Sequence, residues 1–266
     1  MLSIGLGAIV GVILALTGSG GAILAVPLLI FALHLDVAQA APIALLAVGL
    51  SAAAGAAVGL RAGIVRYRAA LLMAAVGMLA SPAGIWLAHR IPSAPLTIIF
   101  AGVLAFVAWR MFTQNALSAA HGTQPNPATP CRIGEHSGRF IWNAACARAL
   151  ALSGLGAGFL SGLLGVGGGF VVVPALKRAS NAPVQGIVAT SLAVIALVSA
   201  SGVAASAIAG NLDWQLGLPF ASGAMLGMFA GRSLSSRLNG PGLQKLFALV
   251  VGAVAAGMVV KVFVTP

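Results

Sequence analysis

The feature that most constrains this chain is how little charge interrupts it. Met1–Leu33 contains no charged residue at all. The apolar runs Val37–Leu60, Ala69–Ala88 and Ile91–Trp109 follow, and beyond a polar stretch come Ala149–Leu176, Ala179–Leu212, Trp214–Gly231 and Leu246–Val260. A membrane-spanning helix needs about 20 apolar residues, and most of these runs supply them. A soluble globule of 266 residues with 60% hydrophobic and 6% charged residues could not hide that much apolar surface, whereas a lipid-facing protein need not. The expected fold class is an all-α polytopic membrane protein.

The balance of charge is +11, with 14 Lys and Arg against three acids, Asp36, Glu135 and Asp213. The basic residues are scattered between apolar runs rather than gathered in a patch. That pattern suits topogenic charge facing the cytoplasm better than nucleic-acid binding. No acid lies well inside an apolar run. Cation carriers and proton pumps usually hold intramembrane carboxylates; an anion would be repelled by one.

The chain repeats itself. Laying residues 7–112 over 154–259, a constant offset of 147, matches 33 of 106 positions without a gap, well above the roughly one in eight to one in ten that so biased a composition gives by chance. The matches fall on Gly18, Gly20, Gly21 and Pro27 with Gly165, Gly167, Gly168 and Pro174, and on Gly55, Gly63, Gly84 and Arg90 with Gly202, Gly210, Gly231 and Arg237. Residues 1–112 therefore read as repeat one and 147–266 as repeat two. The segment 113–146 is a linker whose core, Thr113–Arg139, is rich in Pro, Gly, Asn, Gln, Ser and His and cannot bury a core of its own.

Charge distinguishes two layouts. With eight plain spans the halves are parallel and the 14 basic residues divide 8 to 6 between the two sides. If each first segment instead enters the membrane and turns back at its glycine cluster, each half has three true spans and the second half is inverted. In the first half, residues 3–16 and 22–33 would then be short half-helices of roughly 20 Å, enough to reach the midplane of a roughly 30 Å core. Twelve basic residues then share one side, leaving Arg90 and Lys261 on the other. The inverted layout, with six spans, two re-entrant hairpins, a cytoplasmic linker and both termini outside, obeys the positive-inside rule. Broken helices meeting at the midplane of an inverted repeat are a recurring transporter plan.

The chemistry of an anion site is available at the two clusters, Thr17-Gly18-Ser19-Gly20-Gly21 and Gly165-Val166-Gly167-Gly168-Gly169. Glycines admit positive φ and close approach of backbone to a ligand. The helix that follows each cluster presents unpaired N–H groups and a positive dipole end, and Thr17 and Ser19 add hydroxyls. The competing reading is that these glycines only let helices pack closely, as Gly7/Gly11 and Gly154/Gly158 are expected to do. Thr190 and Ser191 could donate to a bound oxyanion, although such hydroxyls more often bond a carbonyl of their own helix. Arg232 is the one strong cation that could face a pathway; a snorkelling role near a helix end is the favoured reading. His34 and His89 lie at segment ends and read as interfacial.

Cys131 and Cys146 form no CxxC and read as free thiols, and His121, Cys131 and His136 lack metal-ligand spacing. No metal site and no cofactor is expected. The chain also lacks an HExxH cluster, a Gly-x-Ser-x-Gly elbow and an ATP-binding loop, so enzymatic chemistry is not indicated.

The run Gly162-Leu163-Leu164-Gly165-Val166-Gly167-Gly168-Gly169-Phe170-Val171-Val172-Val173-Pro174, with Ala189-Thr190-Ser191-Leu192 and Gly210-Asn211-Leu212-Asp213-Trp214, resembles the TauE/SafE (sulfite exporter, TSUP) family. A weaker copy runs from Leu16 through Pro27, where Thr17-Gly18-Ser19-Gly20-Gly21-Ala22 replaces a fuller glycine run and Ala41-Pro42-Ile43-Ala44 replaces Ala-Thr-Ser. The resemblance implies a plasma (inner) membrane permease for sulfur-containing anions such as sulfite, thiosulfate or organosulfonates, working by alternating access. The alternative is a channel-like or regulatory membrane protein whose glycine clusters are structural. The expected partners are the anion and the bilayer; a homo-oligomer is open, since a lipid-facing surface and a subunit interface read alike.

Overall fold

The computed structural model describes residues 2–17, 21–120, 131, 143–180, 183–238 and 241–264. All regular structure among them is helical: α1 (Leu2–Thr17), α2 (Gly21–Ala32), α3 (Val37–Arg61), α4 (Tyr67–Ala88), α5 (Ser93–Ala120), α6 (Ala144–Leu164), α7 (Gly169–Ala179), α8 (Val184–Ile208), α9 (Trp214–Leu238) and α10 (Pro241–Val264). Among the described residues, α3, α4, α6, α8 and Ser93–Arg110 of α5 are long and apolar enough to cross a membrane. Large apolar side chains such as Leu79, Leu152, Ile208 and Leu226 project outward, as a polytopic membrane protein requires of its lipid face.

The first and fifth apolar runs are each interrupted at their glycine clusters. α1 ends at Thr17 and α2 begins at Gly21, while α6 ends at Leu164 and α7 begins at Gly169. α2 and α7 have 12 and 11 residues, about 18 and 16 Å at about 1.5 Å per residue, so neither can cross a bilayer. α6 departs from the half-helix expectation with 21 residues. It begins at Ala144, ahead of the apolar run, and ends close to Ala41 near the start of α3, against which Gly165 is packed. α5 also outlasts its apolar run, extending to Ala120 inside the stretch read as linker.

Glycine contacts fix how the helices run. Gly7 and Gly11 of α1 lie directly on the backbone of Phe220 and Ala224 in α9, and Gly223 and Gly227 of α9 lie on Ile4 and Ala8. Residue numbers rise together, so α1 and α9 are parallel. The same seam recurs 147 residues on: Gly154, Gly158 and Gly162 of α6 lie on Met73, Gly77 and Ser81 of α4. Small residues let the backbones touch, which is the main source of cohesion between membrane helices. α1 thus docks on a helix of the second half and α6 on a helix of the first. In the centre α3 and α8 cross, with Leu45, Gly49, Gly55 and Gly59 meeting Gly202, Ser199, Leu192 and Ala189 in turn. Here the numbers fall as they rise: α3 and α8, which begin 147 residues apart, are antiparallel.

The turns collect at two ends. At one, the α3–α4 turn meets the start of α8, where the Arg66 N–H donates to Thr190 Oγ1 at 3.0 Å; this end carries Arg61, Arg66 and Arg68. At the other, Asn211 Nδ2 pairs with His89 Nε2 at 2.8 Å, Arg90 covers the Trp86 ring, and Lys261 Nζ reaches the Ile30 carbonyl at 3.5 Å.

The cysteines are not free thiols. Cys131 and Cys146 form a disulfide with Cα atoms 4.9 Å apart. The reason is tertiary: the Cys131 N–H donates to the Ala179 carbonyl, which holds that residue at the end of α7 and beside the first turn of α6. Spacing of 15 residues alone carries no trace of that proximity. His121 and His136 lie outside the described residues, and a disulfide-bonded Cys131 offers no thiolate to a metal.

Candidate functional site

The second glycine cluster folds into a turn that favours glycine at three positions. Gly165, Gly167 and Gly168 have φ of +72°, +67° and +65°, the left-handed region that side chains disfavour. Gly165 caps α6 through its N–H to the Ser161 carbonyl at 2.9 Å. Gly168 caps α7, and the Val171 and Val172 N–H groups both converge on its carbonyl. Among the described residues, the N–H groups of Gly167, Gly168 and Gly169 have no backbone acceptor. They sit at the N-terminus of α7, where the helix dipole places positive potential.

The tip of this turn reaches the middle of the central helix pair. A Cβ on Gly167 would meet Ile195 Cγ2 and Val48 Cγ1 at 3.1 Å and Ser199 Oγ at 3.3 Å. Val48 and Ser199 lie near the midpoints of the 25-residue helices α3 and α8. Gly168 is packed on Ala157 of α6, so after α6 the chain has doubled back before α7 starts.

Four hydroxyls in this interior, those of Ser51, Ser81, Ser161 and Ser199, are buried without a hydrogen-bond partner. All four residues are 0% exposed. An unpaired buried hydroxyl costs about 1–3 kcal/mol, so four of them call for a ligand or water. Ser199 Oγ borders the Gly167 tip, and Ser81 Oγ faces Gly202, one turn along α8, at 3.4 Å from the Cβ position. Nothing in the sequence around Ser51, Ser81, Ser161 or Ser199 sets them apart from other serines within apolar runs. Serine in a membrane helix usually bonds its own backbone, and only the absence of that bond singles these out.

Thr190 and Ser191 are not brought to the tip. Thr190 Oγ1 donates to Gly186 O at 2.6 Å and accepts from the Arg66 N–H, and Ser191 Oγ donates to Ile187 O at 2.8 Å. Both belong to the Arg66 end of α8. In the first cluster Gly18, Ser19 and Gly20 lie outside the described residues; Thr17 closes α1, and Gly21 opens α2 packed on the Leu14 backbone.

Two cavities flank this interior. A groove of about 420 Å³ between α1, α2 and α10 is lined by aliphatic residues and Phe31. It offers an anion no donor. A small crevice of about 10 Å³ is lined by His89, Ala41, Ser206, Gly162, Leu45 and Ile85 among others. Leu45 and Ile85 also border the Gly202 position beside Ser81.

The family described as Sulfite exporter TauE/SafE matches residues 3–258. A probable membrane transporter protein of Xylella fastidiosa (strain 9a5c) is 31% identical over 262 residues, covering 96% of this chain and 93% of the relative. A counterpart in strain Temecula1 is 29% identical with the same coverage. The probable membrane transporter protein YunE of Bacillus subtilis is 32% identical over 94 residues, 35% of this chain and 34% of that protein. No solved structure matches.

Proposed function

Since the chain belongs to the Sulfite exporter TauE/SafE family of membrane transporters, we propose that it is a secondary transporter of small sulfur oxyanions such as sulfite, thiosulfate or organosulfonates. The anion is held at mid-membrane by the free amides of Gly167, Gly168 and Gly169 and the hydroxyl of Ser199. The observation that carries this reading is the Gly167 tip: a left-handed glycine turn at half the length of α3 and α8, facing a buried hydroxyl with no partner. Amide and hydroxyl donors in a low-dielectric interior bind a compact oxyanion strongly. By the sequence repeat alone, Thr17, Gly18, Ser19, Gly20 and Gly21 are assigned as the anion-binding counterpart in repeat one. Thr190 and Ser191, whose hydroxyl protons go to the Gly186 and Ile187 carbonyls, stand on the Arg66 side and are not among the donors to the anion.

The halves form an inverted repeat, an arrangement supported by antiparallel α3 and α8 and by reciprocal α1–α9 and α6–α4 seams. Alternating access is motion of one half against the other about the α3–α8 contact. The basic end faces the cytoplasm and raises the local anion concentration there. The disulfide argues the other way, because such bonds are rare in the cytosol. Twelve basic residues against two outweigh one bond whose cysteines are both fully buried.

The test is uptake of radiolabelled sulfite, thiosulfate and sulfoacetate into proteoliposomes, with sulfate as competitor. A carrier accelerates uptake when unlabelled substrate is preloaded on the far side, whereas a pore does not. Flux no greater than in protein-free liposomes for every anion would remove the reading.

A further inference from the structure

The packing around Ser81 has a counterpart 147 positions along the chain, on the other side of the central pair. On one side of the central pair, Gly202 of α8 is met by Leu45 of α3 and by Ser81 and Ile85 of α4. On the other, Gly55 of α3 is met by Leu192 Cδ1 of α8 at 2.9 Å and by Met228 Cε of α9 at 2.5 Å from its Cβ position. Each of these residues stands 147 positions from its partner: Gly55 with Gly202, Leu45 with Leu192, Ser81 with Met228. The same offset carries Ile85 to Arg232.

The backbone agrees with this correspondence. Gly84 is packed on Phe159 and Gly162 of α6, and Gly231 on Val12 and Ala15 of α1, again 147 positions apart. Arg232 therefore leaves α9 in the direction in which Ile85 leaves α4, which is toward the central pair and not toward the α1 seam. Ile85 lies on the His89 side of the molecule. α9 starts beside that same end, at the turn containing Asn211, so Arg232, in its second half, lies toward the basic end. Its side chain is exposed.

We infer that Arg232 lines the cytoplasmic entrance to the anion pathway and is the residue that captures the anion there before it reaches the glycine tip. This rests on the transport reading above and deepens it. The two entrances are unequal. One has Leu45 and Ile85 beside a serine hydroxyl; the other has Leu192 with a thioether and a guanidinium. A guanidinium presents a planar set of donors that matches two oxygens of a sulfite or sulfonate group, while Ile85 offers none. Differential affinity at the two faces is what such an arrangement produces.

The experiment measures the KM for radiolabelled sulfite separately at each face, in inside-out and right-side-out membrane vesicles containing equal amounts of transporter. Arg232→Gln is expected to raise the cytoplasmic-face KM about tenfold, the loss of a charge-assisted hydrogen bond, with the outer-face KM unchanged. Arg232→Lys should recover part of that. Ile85→Arg, which copies the cation into the opposite entrance, should lower the outer-face KM. If Arg232→Gln transports with unchanged KM at the cytoplasmic face, or with KM raised equally at both, the capture role is overturned while the transporter reading stands. Absence of flux in the unmodified protein would overturn both. Should Arg232→Gln fail to accumulate, Ile85→Arg decides alone: an unchanged outer-face KM counts against the correspondence.

Discussion

Two glycines with the same backbone conformation and different surroundings separate packing from binding. Gly167 and Gly210 have φ of +67° and +72°. A Cβ at Gly210, in the α8–α9 turn, would meet nothing within 4 Å. Gly210→Ala therefore carries backbone strain alone, roughly 1–2 kcal/mol. At Gly167 the new methyl group would stand 3.1 Å from Ile195 and Val48 and 3.3 Å from Ser199 Oγ, tighter than van der Waals contact. Crowding adds about 1–3 kcal/mol, so Gly167→Ala should lose roughly 2–5 kcal/mol in total. The methyl group also fills the space between the Ser199 hydroxyl and the turn amides. Thermal unfolding in detergent would rank the two variants, and initial rates of sulfite uptake at matched reconstitution would give their KM values. Gly210→Ala should keep the parent KM, and Gly167→Ala should raise it about tenfold or more, as expected for losing one charge-assisted donor. Equal KM values for both variants, with Gly167→Ala folded, would refute the placement of the anion at the tip.

Other expectations follow from particular contacts. Gly158→Val at the α6–α4 seam pushes a branched side chain into the Gly77 backbone, and should abolish accumulation of folded protein, whereas Gly156→Val, with open space around its Cβ position, should not; fluorescence size-exclusion profiles distinguish them. Asp213→Ala removes the carboxylate that accepts the Gln215 and Leu216 N–H groups, and should cost about 1 kcal/mol. Asp36→Ala, where no side-chain cap bond exists, should change unfolding by less than about 0.5 kcal/mol. Removing the Cys131–Cys146 link by Cys131→Ser should lower stability by up to about 3 kcal/mol for a loop of this size; finding two free thiols in the unreduced, denatured parent would contradict it. Single cysteines at Ala62 and Ala209, exposed equivalents in the α3–α4 and α8–α9 turns, should react with an impermeant maleimide from opposite faces in a Cys131→Ser/Cys146→Ser background. Labelling of both from one face would exclude inversion.

Much of this architecture was legible because glycine and charge leave marks that survive in sequence. The offset of 147 predicts equivalent helix starts, and α3 and α8 begin at Val37 and Val184, α4 and α9 at Tyr67 and Trp214. The breaks fall at the clusters because a run of glycines cannot continue a helix against its entropy and can adopt left-handed φ. What the sequence concealed is set by three-dimensional direction. α6 looks like a half-helix from its apolar run, yet Arg148 and Cys146 belong to its first turns, because a helix does not stop where hydrophobicity does. Thr190 and Ser191 carry the expected chemistry, but their hydroxyls are already committed to Gly186 and Ile187. Ser81 and Ser161 carry it without such commitments, and nothing in their neighbours along the chain says so. Arg232 is the sharpest case: beside Gly231 near a helix end it reads as a snorkelling cation. The capture role inferred for it rests on the pairing of Gly55 with Met228 and Leu192, set against Gly202 with Ser81 and Leu45, which only the fold reveals.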